Sequence, residues 1–259
     1  MESMKDIDAR IRKKFSVLEK VAHGVADGHI RSAIVSGATG CGKSYTLETV
    51  LRSAERENKI KYNSVRGALS AIKLYQELWD SRRSDDVLVL DDTDTIYGDL
   101  DALNLLKAAL DTNPVRRVHY NKESRILADL GIENSFDFEG RVCFITNTDL
   151  TAAVEKNSKM SPHFAALLSR SIYCDLGIHT KREVLVRIAQ VVYSEKFLEE
   201  NNITRQHAES MMAWLAPNVA NVRVLSIRTV LQLANLVKID ANWQAMADDL
   251  MLTPVKNNS

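Results

Sequence analysis

"SAIVSGATGCGKSYTLETVL", residues 32–51, decides the fold. An apolar stretch suited to a β-strand runs into a small, glycine-rich turn, and the turn runs into residues suited to an α-helix. Gly37, Ala38, Thr39, Gly40, Cys41, Gly42, Lys43 and Ser44 spell G-x-x-x-x-G-K-[ST] in full, with Tyr45 directly behind. Glycines let the backbone curl so that successive N–H groups face phosphate oxygens, and a helix starting there adds the positive end of its dipole. These nine residues are therefore expected to bind the phosphates of a nucleotide. Lys43 would reach the β- and γ-phosphates, and the Ser44 hydroxyl would complete a Mg²⁺ shell.

A phosphate cradle of this kind needs an acid at the end of a neighbouring apolar strand, and "VLVLDD" at 87–92 supplies Asp91 and Asp92. Asp91 would hold the metal, directly or through water. Asp92 is then placed to orient or deprotonate an attacking water. Alone, such a sequence is also an acidic turn after a core strand; the cradle upstream is what gives it a catalytic reading.

Working outward, apolar strands separated by helices recur: "KIKYNSV", "VLVLDD", "RVCFITN" and "SIYCDL" follow the first strand. That alternation predicts an α/β fold, a parallel five-stranded sheet covered on both faces in three layers, with ligands at the carboxyl ends of the strands. Residues 6–26 carry helical spacing up to Gly28, and from Thr180 onward the pattern is helix only. The shift near Gly177 predicts a nucleotide-binding core over 1–177, with an N-terminal helix in 1–28, and a small helical lid over 178–259. "KREVLVRIAQVVYSEKFL" reads as one of the lid helices.

The chain of 259 residues has 34 Lys plus Arg and 34 Asp plus Glu, so no global field draws it to nucleic acid or to an anionic membrane. Any nucleic-acid partner must be met by a local patch. Cys41, Cys143 and Cys174 are widely spaced, which fits neither a disulfide framework nor a zinc knuckle and suits a reducing cytoplasm. The charged start "MESMKDIDARIRKKF" is no export signal, and no run approaches the roughly 18 apolar residues of a membrane span.

With "GATGCGKS" and "VLVLDDTD" in hand, the chain resembles the AAA+ superfamily of P-loop ATPases, over about residues 20–177 and less closely in the helical tail. The resemblance implies ATP and Mg²⁺ as ligands and ATP hydrolysis as the activity. It gives Asn147 in "CFITNTD", with Thr146 beside it, the role of a polar sensor that holds water against the γ-phosphate, although turns favour asparagine in any case. "HFAALLSRSIYCDL" resembles the arginine-finger region, so Arg170 would reach a neighbouring subunit's site and stabilise charge on its γ-phosphate, which implies a homo-oligomer. In "NVRVLSIRTVLQLANL", Ser226 looks like an N-cap and Arg228 like the lid's sensor, with Arg223 the competing candidate.

Two features depart from the family pattern. The residue after the metal-binding acid is Asp92, one methylene shorter than the usual glutamate. Between "NLLKAALDTNP" and the sensor strand lies a long segment, 113–140, readable either as a hairpin with a basic edge (Arg116, Arg117, His119, Lys122 and Arg125) or as a surface excursion with solvated charges. No pore signature of a polypeptide-threading machine follows the second strand. The expected function is an ATPase that remodels or loads a partner, DNA or a DNA-bound protein, in replication or recombination, within the host cytoplasm if the chain is phage-encoded. The alternative is a nucleotide-gated binding module in which slow hydrolysis acts as a timer.

Overall fold

A computed structural model describes residues 2–254; residue 1 and residues 255–259, the outermost ends of the expected core and lid, lie outside it. Five strands, β1 (Ser32–Ser36), β2 (Lys61–Arg66), β3 (Asp86–Asp91), β6 (Arg141–Thr146) and β7 (Ile172–Asp175), form one parallel sheet in the order β2-β3-β6-β1-β7. Between β3 and β6 in the chain, β4 (Arg117–His119) and β5 (Ser135–Asp137) make a separate antiparallel pair. The helices are α1 (Met4–Ala26), α2 (Lys43–Arg56), α3 (Ala71–Asp80), α4 (Leu100–Ala109), α5 (Arg125–Asp129), α6 (Leu150–Glu155), α7 (Ser161–Arg170), α8 (Lys181–Val192), α9 (Glu195–Glu200), α10 (Arg205–Asn218), α11 (Ile227–Ile239) and α12 (Trp243–Met251).

The unbroken apolar runs are the central strands. Every residue of β1, β3 and β6 is buried, as strands covered on both faces by crossover helices must be. Register then positions the chemistry. Ser36 lies opposite Thr146, and Asp91 opposite Ile145, so the carboxyl ends of β1, β6 and β3 finish side by side. The residues that follow them, Gly37, Asp92 and Asn147, therefore stand at the carboxyl end of the sheet.

By internal packing the chain divides into two compact units. One comprises Lys14–Gly37 and Lys43–Leu176 and contains the sheet. The other comprises the residues up to Lys13, the loop tip Ala38–Gly42, and the residues from Gly177 onward. The helical unit thus includes the first turns of α1 as well as α8–α12, an association of chain ends that composition does not reveal. The single helix read from "KREVLVRIAQVVYSEKFL" is two, α8 and α9. Ser194 ends the first and caps the second, its Oγ accepting from Phe197 N at 3.3 Å.

Helix α8 starts in a capping box: Thr180 Oγ1 accepts from Glu183 N, and Glu183 Oε2 accepts from the backbone N–H groups of His179 and Thr180, each at 2.9 Å. Glu183 Oε1 also accepts from Arg10 Nη2 at 2.6 Å, and Arg10 Nη1 donates to Gly177 O at 2.7 Å. Burial disfavours the Glu183 carboxylate, but the two N–H donors, Arg10 and the Thr180 hydroxyl outweigh it and hold its pKa down at about 2 against an ordinary 4.5. A depressed carboxylate contributes stability in full above its unfolded pKa and loses it as pH falls towards the folded value. The capping-box N–H bonds and the Arg10 pair together are therefore expected to contribute about 1–2 kcal/mol after solvent screening, lost between about pH 4.5 and pH 2. Denaturant titrations across that range should show Glu183→Gln with a visibly flatter acid limb than the wild type; parallel limbs would refute the assignment.

Candidate nucleotide-binding site

The glycine-rich turn adopts the backbone its residues allow. Gly40 and Gly42 have φ of +67° and +100°, the left-handed region where a Cβ is strained. Helix α2 then begins at Lys43, so the positive end of its dipole faces the loop. Thr39 and Tyr45 are exposed and Cys41 is buried.

Lys43 is only 5% exposed, and its ammonium joins the loop to the end of β6. Nζ donates to Gly37 O at 2.7 Å and to Asn147 Oδ1 at 2.8 Å. Asn147 in turn donates from Nδ2 to Asp92 Oδ1 at 2.8 Å. Lysine, asparagine and aspartate thus form one chain of charge-assisted bonds across the ends of α2, β6 and β3. Asp92 has φ of +53°, a left-handed backbone that short Asp and Asn side chains tolerate better than other residues. That conformation gives a physical reason for aspartate where the family usually has glutamate.

One residue back, Ser44 Oγ donates to Asp91 Oδ1 at 3.0 Å. A hydroxyl and a carboxylate side by side are hard oxygen donors of the kind that suit Mg²⁺, so the residues present fit the implied metal. Burial pushes the Asp91 pKa up, while the Ser44 hydrogen bond opposes it and the Asp92 charge adds to it.

The structure adds groups that the sequence reading did not assign. Arg66, at the end of β2 and in register with Asp91, places Nε 3.0 Å from Asp91 Oδ2 and pairs with Glu48 as well. Glu48 lies one turn beyond Ser44 on α2, a spacing visible in the sequence, but Arg66 meets Asp91 only because β2 and β3 are neighbours. Asp94 accepts from Thr146 Oγ1 at 2.8 Å and from Thr148 Oγ1 at 3.2 Å, tying the turn after β3 to the end of β6.

The remaining predicted residues lie as follows. Arg170 ends α7, half-buried, with Nη1 bonded to Ala166 O at 3.0 Å and Nη2 4.0 Å from Asp111 Oδ2. To reach another subunit it must leave both. Arg228 is exposed in the first turn of α11, after Ser226, whose N–H bonds Thr229 Oγ1 at 3.1 Å. Arg223 is held against the C-terminal end of α12, its Nε donating to Leu252 O at 3.0 Å.

The segment 113–140 packs closely against the sheet unit. Phe136 stacks edge-on with Tyr75 and Trp79 of α3, and Tyr75 OH donates to Glu133 O at 2.6 Å. Of the five basic residues there, one is withdrawn from the surface and two are paired with acids. Arg116 is buried, its guanidinium donating to Ala109 O and Gly140 O at 3.0 and 2.9 Å, and burial pushes its pKa down to about 10. Arg117 pairs with Asp137 and Lys122 with Asp101, and both stay exposed, as do His119 and Arg125. Among the described residues no helix is long and apolar enough to cross a membrane.

With this geometry in view, the chain can be set beside known proteins. No family model matches it. It is 40% identical over 247 residues to an uncharacterized 36.7 kDa protein of the nrdC-mobD intergenic region of Enterobacteria phage T4, covering 95% of this chain and 76% of that one. The fold is similar to domain III of the Thermotoga maritima replication initiation protein DnaA, with a TM-score of 0.52 and 14% identity, covering 92% of each chain. It is also similar to a replication initiator DnaA solved with AMPPCP and single-stranded DNA, with a TM-score of 0.50 and 12% identity over 87% of this chain. This chain spans 60% of that initiator's length. The sheet order, the loop after β1 and the acidic end of β3 agree with that fold, and the identity to the phage T4 protein is decisive for kinship: the chain belongs to the family of the phage T4 protein, with the fold of domain III of DnaA.

Proposed function

We propose that this protein binds and hydrolyses ATP, and that it does so as an oligomer coupling hydrolysis to the remodelling or loading of a partner on DNA. The observation that carries the reading is the pair of contacts crossing the strand ends: Lys43 to Asn147 to Asp92, and Ser44 to Asp91. In this reading residues 37–45 bind the phosphates, with Arg228 contributing from the helical tail. Ser44 and Asp91 would hold Mg²⁺, which when bound would supply positive charge against the phosphates. Asp92 takes a proton from the attacking water while Asn147 fixes the carboxylate's direction and Lys43 meets the γ-phosphate. Residues 1–177 would serve as the core and 178–259 as a lid. The DNA setting is supported by the likeness to a replication initiator and the cytoplasmic setting by the phage relative.

Arg170 gives the sharpest test of assembly. In the monomer its guanidinium is engaged with Ala166 and, weakly, with Asp111, so the proposed trans role demands a partner that draws it out. Phosphate release per subunit is expected to rise with protein concentration in the wild type. Arg170→Ala should flatten that rise and lower the plateau about 10³-fold, the scale of an arginine finger. Equal plateaus would remove Arg170 from the site. Running the same assay with single- and double-stranded DNA at fixed salt tests the partner.

A second reading, a nucleotide-gated module with hydrolysis as a slow timer, draws on the Asp92 carboxylate. It is short, held in a left-handed turn, and already bonded to Asn147. Weak Arg170 dependence together with intact nucleotide binding would favour it.

A further inference from the structure

The glycine-rich loop is held from outside as well as from within. Its tip, Ala38–Gly42, belongs to the same compact unit as the C-terminal helices, and two of its carbonyls are engaged there. Ile227 N, the first N–H of α11, donates to Gly40 O at 2.9 Å. Arg187, on α8, donates from Nε to Cys41 O at 3.2 Å. Arg187 is itself steadied: Nη1 donates to Gln190 Oε1 at 3.2 Å, and Gln190 Nε2 donates to Asp8 O and Oδ1 at 3.0 and 2.9 Å. Gly40 is the only residue type that this contact admits, since a Cβ there would sit 2.8 Å from the Ser226 Cβ.

The consequence follows from the peptide bond. In a planar trans peptide the C=O and the following N–H point in opposite directions. The carbonyls of Gly40 and Cys41 share their peptides with the N–H groups of Cys41 and Gly42. Fixing those two carbonyls towards α8 and α11 therefore fixes two successive N–H groups away from the helices, which is the arrangement a phosphate cradle requires. A helix's first N–H groups lack intrahelical partners, so α11 can supply this bond at no cost to its own ladder.

We infer that Arg187 and the Ser226–Ile227 helix start are positioning elements of the phosphate cradle, and that phosphate affinity is set in part by the helical unit. The inference rests on the nucleotide-binding reading above. Neither group touches a phosphate; each acts through the loop backbone. Anything that draws α8 or α11 off the loop, a partner protein included, would loosen the grip on nucleotide.

Two variants test it. Arg187→Gln removes the cation that holds Cys41 O. Ile227→Pro deletes the single N–H on Gly40 O at the first helical position, where proline is favoured, and the extended Ser226 backbone (φ −161°, ψ 172°) already suits a residue before proline. Equilibrium binding of a fluorescent ADP analogue would be measured with competition by ADP and by adenosine, alongside melting without nucleotide. Each variant is expected to weaken ADP about tenfold and adenosine less than twofold, with Arg187→Lys within threefold of the wild type. The ADP-to-adenosine ratio is read on folded protein, so a lowered melting temperature does not decide the matter. Unchanged ADP affinity, or equal losses for both ligands, would overturn the inference while leaving nucleotide binding intact. Failure of the wild type to bind ADP would instead remove the reading on which it rests.

Discussion

Lys43→Ala is expected to lower ATP turnover by about 10²–10³-fold, the cost of removing one preorganised donor to the reacting phosphate. The side chain is buried at the start of α2, and its bonds to Gly37 O and Asn147 Oδ1 explain why the loss should be large. Without the ammonium, Gly37 O and Asn147 Oδ1 lose their donor, so the loop and the end of β6 lose the group that joins them. Leaving the buried Gly37 O unmet costs about 1–3 kcal/mol, while the exposed Asn147 can turn to water, so the variant should also melt lower than the wild type. Phosphate release under saturating ATP and Mg²⁺, normalised to folded protein, is the measurement. A variant retaining more than a tenth of wild-type turnover would place the reacting phosphate away from Lys43.

Asp92→Asn should separate chemistry from binding. Asparagine tolerates the same left-handed backbone and can still accept from Asn147, so the local structure is kept while the base is lost. Hydrolysis is expected to fall by about 10²–10⁴-fold, the range of general-base catalysis, with nucleotide affinity changed by less than about threefold. Asp92→Glu is a poorer probe, because a longer side chain at φ +53° gains strain along with reach. Single-turnover hydrolysis and equilibrium binding on one preparation would distinguish the cases. Wild-type hydrolysis in Asp92→Asn would assign the base elsewhere; a wild-type rate already as slow as the variant's would favour the timer.

Much of this site was legible because P-loop chemistry is local in sequence. Gly37–Ser44 must be contiguous to cradle a phosphate, and Asp91 and Asp92 must end an apolar strand to stand beside it. Asn147, singled out by the resemblance and not by spacing, bonds both Lys43 and Asp92. Arg66 was not singled out, since nothing in "KYNSVRG" says that β2 lies next to β3. The basic residues of 113–140 stayed open between two readings for a related reason. A pattern of arginines does not distinguish a solvated edge from Arg116, whose guanidinium is consumed by the carbonyls of Ala109 and Gly140.

By itself the sequence determined the sheet, the glycine turn and the acids, because each depends on the period of apolar residues or on the spacing of a few neighbours. Tertiary structure alone decided what the arginines do. Arg141 reaches the carbonyls of Val25 and Ala26 at the end of α1, Arg66 meets Asp91 across two strands, and Arg187 meets Cys41 across 146 residues of chain. A guanidinium on a long flexible stem takes whichever acceptors the fold brings within reach, and acceptors supplied by distant backbone leave no trace in the order of side chains.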